Sequence, residues 1–190
     1  MVNKLVIISN ESILNDNDDF YCDNIDIKSI PEGLKKNFDI LLIGKKSKLT
    51  RTNKINLKQI RPAQNIFIFL LNVFKTFKEK KTKYLLISIT PYTFFAYILL
   101  FIFRKKIFFY LRSDGYQEWK YILGFIGPFL FHFMFTIISW KANLISCRSH
   151  ILKGKSGTIV APSQLSEKWF SDHIKPNLRK VELFYVGRIK

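Results

Sequence analysis

Residues 84–115, YLLISITPYTFFAYILLFIFRKKIFFYLRSDG, decide the fold of this chain. The stretch carries no charge before Arg104, and an unbroken helix there would be roughly 30 Å long, about the thickness of a bilayer core. Thr90 followed by Pro91 argues against one continuous helix, because a threonine hydroxyl can cap a helix that starts with proline. The stretch therefore divides into a strand, a helix and a second strand, a βαβ unit of a parallel sheet. The predicted bounds are 84–89, 91–103 and 107–111.

A polar loop follows the second of these strands: Arg112, Ser113, Asp114 and Gly115. Parallel sheets in α/β proteins bind ligands outside the carboxyl ends of their strands. The loop is therefore a candidate site, and the alternative is a loop that only caps the sheet edge. Thr90, at the end of the preceding strand, is a weaker candidate, because its capping role accounts for it fully.

Composition and charge restrict the function. The chain has 190 residues, 48% hydrophobic and 16% aromatic, which is too apolar for a disordered chain. Its net charge of +17 is uneven, because residues 1–40 hold 8 acidic residues and 4 Lys, whereas everything after them is strongly basic. This distribution indicates an anionic partner, such as a phosphate, a nucleotide, a nucleic acid or lipid headgroups. Two cysteines predict neither a disulfide framework nor a metal cluster, and no signal-peptide core follows Met1, so we expect a cytoplasmic protein.

The sequence on both sides of residues 84–115 also predicts alternating strands and helices. A first strand is predicted over 4–9, ending in a turn at Ser9 and Asn10, and Pro62 is expected to open a helix that runs to about Lys80. Residues 45–61 are expected to form a basic linker or loop. A second uncharged run, 121–140, is expected to break at Gly127 and Pro128 and to carry His132 as a packed core histidine. Further strands are predicted over 25–30, 38–44, 143–147, 158–161 and 181–186.

Three segments together resemble the N-terminal half of a group 1 retaining glycosyltransferase with the GT-B fold. FFYLRSDG (108–115) is similar to the family's strand that ends in His-Gly, and KANLISCRS (141–149) is similar to its Ala-Asp strand followed by Ser. LFYVGRIK (183–190) resembles the Val-Gly-Arg segment that opens the C-terminal domain. The three segments occur in the family's order. The glycine-rich turn after the first strand is absent, however, and Asp114 stands where the family has His.

The resemblance implies a Rossmann-like parallel sheet with helices on both faces, as in the N-terminal domain of a GT-B fold. Residues 1–180 would form the acceptor-side domain, and 181–190 would be the first strand of a C-terminal domain that binds the nucleotide sugar, either missing here or supplied as a separate chain. Such an enzyme transfers sugar from a nucleotide sugar to a polysaccharide or lipid-linked acceptor, and no metal is implied. This chain alone is expected to be inactive.

Single residues can now be given roles, those of residues 90 and 112–115 from their position at the carboxyl ends of strands and those of residues 187 and 188 from the resemblance. Asp114 is the candidate catalytic group. The candidate acceptor-binding residues are Thr90, Arg112, Ser113 and Gly115. Gly187 and Arg188 would meet the diphosphate of the donor, although the family's donor-binding lysine and glutamate pair are not found in this sequence.

Two other functions stay open at this point. A small basic protein with two membrane spans would use the runs 84–103 and 121–140, but basic residues flank both runs on every side, against the usual asymmetry of loops. Nucleic-acid binding would interleave aromatic and basic residues, whereas the aromatic residues here lie in apolar blocks, so no nucleic acid is expected. The helices 91–103 and 128–140 are apolar all round and have basic ends. We therefore expect a peripheral protein on the anionic inner face of the membrane, and the alternative is that both helices are fully internal.

Overall fold

In the computed structural model, which describes residues 3–78 and 81–161, the chain is an α/β fold with a mostly parallel sheet. The strands are β1 (Asn3–Asp16), β2 (Asp19–Cys22), β3 (Phe38–Lys46), β4 (Asn53–Lys54), β5 (Gln59–Ala63), β6 (Lys83–Ile87), β7 (Lys106–Leu111), β8 (Asn143–Ser146) and β9 (Thr158–Ile159). Within the described residues the parallel strands lie in the order β5-β3-β1-β6-β7-β8-β9. The chain builds one half of the sheet outward from β1 and then returns to build the other half from β6, as a doubly wound Rossmann-like sheet does.

Helices cover both faces of the sheet, as expected. On one face α1 (Ile25–Leu34) buries Ile27 among β-strand residues such as Ile7 and Leu42. On the other face three helices share a larger core with the strands, which includes Phe69, Tyr97 and Phe135. These helices are α2 (Ile66–Phe74), α3 (Pro91–Ile102) and α5 (Ile126–Ser139), and a short helix, α4 (Gly115–Leu123), precedes α5.

The central βαβ unit forms as the sequence predicts. Strands β6 and β7 pair in parallel, with Leu86 opposite Phe109. Between them α3 begins at Pro91 with a reciprocal cap, in which the Thr90 hydroxyl accepts from the Thr93 amide and the Thr93 hydroxyl accepts from the Thr90 amide. The apolar run that starts at Tyr84 is therefore a strand and a helix. Among the described residues, no helix combines the length and apolarity that a membrane crossing requires.

The first strand is longer than predicted. It does not turn at Ser9 and Asn10 but continues to Asp16, then folds back onto β2 through Asn17 and Asp18, whose φ angles are 47° and 68°. Its register against β3 shifts between Ile8 and Ser12. Gly44 of β3 allows the close approach, because a Cβ there would lie 3.0 Å from the carbonyl oxygen of Glu11 and closer still to the Ile13 side chain.

Two segments of the N-terminal half were predicted wrongly. Residues 25–30 form a helix and not a strand, because Asn24 caps it with its side chain and Ile27 and Pro31 lie one turn apart on the buried side. The supposed linker over 45–61 contains β4 and most of β5.

Pro62 lies inside β5, where an edge strand tolerates proline. The following helix instead starts at Ile66, with Asn65 as its cap, and ends at Phe74.

The second uncharged run forms a helical hairpin. The break lies at Gly124, which has a φ angle of 62°, and not at Gly127 and Pro128. Helix α4 is therefore earlier, and α5 longer, than expected. His132 is exposed on α5 and is not a core histidine.

Candidate functional site

The candidate site lies between β1 and β6, where the order of the strands reverses. From β1 the chain continues to β3 on one side, and from β6 it continues to β7 on the other side. In sheets of this kind the crevice at the carboxyl ends of these two central strands is the usual ligand site. The carboxyl edge there includes Ser9 on β1 and Ser88 and Thr90 after β6. Two of the sites predicted from the sequence lie at this carboxyl edge: Thr90 follows β6, and the loop 112–115 follows the neighbouring strand β7.

The first βα connection offers no glycine-rich phosphate loop at this crevice. Where such a loop would turn, β1 continues as a strand beyond the end of its pairing with β6. The Ser9 hydroxyl is buried and accepts a hydrogen bond from the Glu11 amide, at 3.2 Å. Lys45, which follows Gly44 on β3, places its ammonium 5.6 Å from the centre of the Tyr92 ring at the start of α3. The groups next to the crevice are thus hydroxyls, one lysine and one tyrosine ring.

Thr90 is committed to the cap of α3. Its hydroxyl lies 3.1 Å from that of Thr93, which in turn donates to the carbonyl of Ser88 at 2.7 Å. Ser88 has a φ angle of 62°, so the chain turns sharply between β6 and α3. The structure therefore accounts for Thr90 by capping, as its sequence context indicates.

Asp114 caps α4 and also forms an ion pair. One carboxylate oxygen accepts from the Tyr116 amide at 3.1 Å, and the other accepts from the Lys153 ammonium at 2.6 Å. Lys153 itself lies over the Tyr116 ring, 5.4 Å from its centre. The side chain of Asp114 is 15% exposed, so it is largely covered but still reaches solvent.

The other residues of the loop point to different neighbours. Arg112 pairs with Asp26 at the start of α1, at 3.2 Å, and thus ties β7 to the opposite helix layer. Ser113 is half-buried, and its hydroxyl makes no hydrogen bond within the described part of the chain. Gly115 is buried against Phe131, whose ring would overlap any Cβ at this position. Gly115 is therefore needed for packing, whatever else it does.

A polar network that the sequence did not predict extends from this loop. The Tyr116 hydroxyl and Nδ1 of His132 are hydrogen-bonded at 2.7 Å, and Nε2 of His132 lies 3.5 Å from the Thr136 hydroxyl. Burial raises the pKa of the Tyr116 phenol, so this group stays protonated at neutral pH. Together with Asp114 and Lys153, these side chains line the base of the helical hairpin. Their positions in the sequence are far apart, and no local motif connects them.

Two other predictions, on donor binding and on metal, are not tested by the structure. Gly187 and Arg188 lie outside the described residues, so their role stays a prediction. Among the residues that the structure describes, no three His, Cys, Asp or Glu side chains group closely enough to hold a metal ion. The cationic and hydroxyl side chains at the carboxyl edge are suited to an anionic or hydroxyl-bearing ligand. Models of known protein families, curated proteins and solved structures were compared with this chain, and none matches it.

Proposed function

We propose that this chain is the acceptor-side domain of a GT-B glycosyltransferase, which transfers a sugar from a nucleotide sugar to a polysaccharide or lipid-linked acceptor. The observation that carries the proposal is the Asp114 carboxylate at the carboxyl edge of a doubly wound sheet, beside the point where the strand order reverses. Ligands of such sheets bind at this edge. The proposal includes a peripheral location at the inner face of the membrane, where a lipid-linked acceptor would be found.

The chemistry of transfer needs charge in two places. Positive charge develops on the sugar as its bond to the leaving diphosphate breaks, and a carboxylate such as Asp114 would stabilise it or receive the proton of the acceptor hydroxyl. The leaving diphosphate needs cationic groups or backbone amides. The resemblance places these in the donor-binding half, where Gly187 and Arg188 would begin the site.

The Lys153 partner gives Asp114 a defined orientation. The ammonium holds one carboxylate oxygen, and the Tyr116 amide holds the other, so the carboxylate cannot rotate freely. Preorganised groups of this kind stabilise a transition state without a cost of reorganisation. Lys153 would therefore be a positioning residue for Asp114.

The test separates the charge of Asp114 from its cap. Asparagine caps a helix about as well as aspartate, so Asp114→Asn keeps the cap and removes the charge, whereas Asp114→Ala removes both. We expect both variants to lower sugar transfer by ~10-fold or more, as loss of a positioned acid–base group commonly does. Glu118→Gln is the matched control, because Glu118 is an exposed carboxylate in the first turn of the same helix.

The measurement is incorporation of radiolabelled sugar from a panel of nucleotide sugars into membrane lipid and polysaccharide fractions. The assay contains the donor-binding half, either fused after Lys190 or added as a separate chain. If Asp114→Asn transfers sugar at the rate of the unchanged protein, the carboxylate is only a cap and its assignment is wrong. If no donor of the panel is transferred by the unchanged protein, the glycosyltransferase proposal itself is wrong.

A further inference from the structure

The helical hairpin of α4 and α5 carries an apolar tip that nothing in the described part of the chain covers. The pairing of the two helices is antiparallel, since Gly115 packs against Phe131 and Gly127 packs against the backbone of Trp119. The tip is the turn region between these contacts. It consists of Tyr121, Ile122, Leu123, Phe125, Ile126 and Phe129.

The hairpin projects from the body of the protein. The residues through which α5 joins the main core are Phe131, Met134, Phe135 and Ile138, so this contact begins at the sixth residue of the helix. The start of α5, before Phe131, packs against α4 instead, with Gly127 at the closest approach of the two helices. Since α4 starts directly after the Asp114 loop at the end of β7, the tip lies beyond the carboxyl edge of the sheet.

The tip is unusually exposed for its composition. Tyr121 is 85% exposed, Phe125 78% and Phe129 74%. Scattered apolar side chains on a surface are normal, but contiguous ones mark a binding surface. The exposed apolar surface also continues along α5 to Phe133, whose ring lies 6.0 Å from that of Phe94 on α3.

Charge selects the occupant of this surface. Between residues 64 and 161 the sequence holds three acidic residues and fourteen Lys and Arg. Lys120 is exposed on α4 directly before the tip, whereas Lys141 and the exposed Trp140 follow the opposite end of α5. An exposed aromatic tip with an adjacent lysine, on a strongly basic part of the chain, is suited to an interface of anionic lipid headgroups and acyl chains.

We propose that the apolar tip inserts its aromatic side chains into the headgroup region of an anionic bilayer and so docks the protein on the membrane surface. Insertion would remove Phe125 and Phe129 from water, while lysines such as Lys120 remain among the headgroups. A second copy of this chain would match the apolar surface but would bring an equally basic region of chain close to the first. The charges therefore favour lipid over self-association.

Docking in this way would have a consequence for the candidate site. Because the hairpin begins at the Asp114 loop, a membrane at its tip faces the carboxyl edge of the sheet. An acceptor carried on a lipid would then meet the site from the membrane side. This last step rests on the proposed transferase function, and docking by the tip assigns a surface to the peripheral location proposed with it. The experiment below measures docking without any sugar transfer, so docking and transfer can fail separately.

The experiment is flotation of the purified protein with vesicles of phosphatidylglycerol and phosphatidylcholine, compared with vesicles of phosphatidylcholine alone. The test variant is Phe125→Gln with Phe129→Gln, which places polar side chains at two exposed positions, one in the turn before α5 and one inside it, where glutamine is a good helix former. The matched control is Phe67→Gln on α2, which removes an equally exposed ring, 80% exposed, outside the tip. Circular dichroism and thermal melting verify that each variant folds as the unchanged protein does.

We expect the unchanged protein to float with the anionic vesicles and weakly or not at all with the neutral ones. The partition coefficient of the double variant for anionic vesicles should be lower by about 10-fold or more, because two aromatic side chains no longer reach the apolar boundary. That of Phe67→Gln should stay within about 2-fold of the value for the unchanged protein. Equal flotation of the double variant and the unchanged protein overturns the proposal. So does a failure of the unchanged protein to bind anionic vesicles, including the case in which it forms dimers that the double variant abolishes.

Discussion

Asp114 caps α4 and is also the candidate catalytic group, so a substitution there can lower both stability and activity. Loss of a helix cap costs about 1 kcal/mol. The pair with Lys153 adds little to stability, because its lysine is 37% exposed and solvent screens the attraction. A moderate loss of stability in Asp114→Ala is therefore expected from the cap alone. Only the comparison with asparagine isolates the charge.

Cys22 should react far more slowly than Cys147. It is fully buried at the end of β2, and burial, with the nearby carboxylates of Glu11 and Asp23, raises the pKa of its thiol from 9.0 to about 11. Only the thiolate reacts, and a rise of the pKa from 9.0 to about 11 lowers the thiolate fraction of Cys22 ~100-fold near neutral pH. The measurement is alkylation of the folded protein by iodoacetamide, followed by mass spectrometry of the cysteine peptides. Equal rates for Cys22 and the half-buried Cys147 would show that β2 opens easily.

The same shift gives a sign for the pH dependence of stability. The folded protein holds the Cys22 proton more tightly than the unfolded chain does. Stability that is complete below about pH 9 is therefore lost as the pH rises through about 11. A Cys22→Val variant, which keeps an apolar side chain of similar size, should lack this part of the pH dependence in denaturant titrations.

At the level of single residues, contacts between neighbours in the sequence could be predicted, whereas contacts between residues far apart in the chain could not. The cap of α3 by Thr90 follows from the Thr-Pro signature, since all its partners lie within three residues. The ion pair of Asp114 with Lys153 spans 39 positions, and the contact of Tyr116 with His132 depends on where the hairpin turns. Placing the break at Gly127 instead of Gly124 shifted the predicted start of α5, and His132 was misplaced into the core.

At the level of elements, close helix packing in the hairpin depends on two glycines. Gly115 gives room to the Phe131 ring, and Gly127 lets α5 approach the backbone of α4 at Trp119. A ring can shift, but a backbone carbonyl in a helix cannot move without moving the helix. Gly127 is therefore the stricter of the two positions.

Gly127→Ala should be strongly destabilising. The added Cβ would overlap the carbonyl oxygen of Trp119, and such overpacking commonly costs 1–3 kcal/mol, so we expect about 3 kcal/mol in the free energy of unfolding. The control is Gly33→Ala in α1, where no atom lies within 4 Å of the new Cβ and a gain of about 0.5–1 kcal/mol is expected. Urea denaturation of the two variants measures both values. A Gly127→Ala protein as stable as the control would mean that the two helices do not pack this closely.

Elements with a plain hydrophobic pattern were predicted, and polar ones were missed. Strands β3, β6 and β7 are apolar runs and lie where expected. The extension of β1 beyond Ser9 is polar, and it is a strand because β2 and β3 supply hydrogen-bond partners that no local pattern contains. Strand β5 includes a proline and an arginine and pairs with β3 alone among the described strands, so its identity depends on the edge that it occupies.

In the whole molecule, acidic residues are concentrated in the first 40 residues, and the rest of the sequence is strongly basic. Acidic residues of the N-terminal region pair with basic residues of 45–61: Arg51 with Asp23, and Lys54 with Asp19 at 2.6 Å. In line with these contacts, the Arg51 hydrogen bond lowers the pKa of Asp23, and the Asp19 hydrogen bond raises that of Lys54. The excess positive charge is therefore carried mainly by the remainder of the chain, which includes the apolar tip.

This arrangement predicts how the protein associates with cell membranes. If it docks by the tip and by electrostatic attraction, each Lys or Arg near anionic lipid contributes about 1 kcal/mol, and high salt weakens that part. We therefore expect high salt or alkaline carbonate to release the protein from isolated membranes. The fractions are compared by immunoblotting, with an integral membrane protein of the same cells as the control that only detergent extracts. Phe125→Gln with Phe129→Gln should be released at lower salt than the unchanged protein, because it loses the apolar contribution. Retention of the unchanged protein until detergent is added would contradict surface docking and would favour an arrangement in which the uncharged runs 84–103 and 121–140 cross the bilayer.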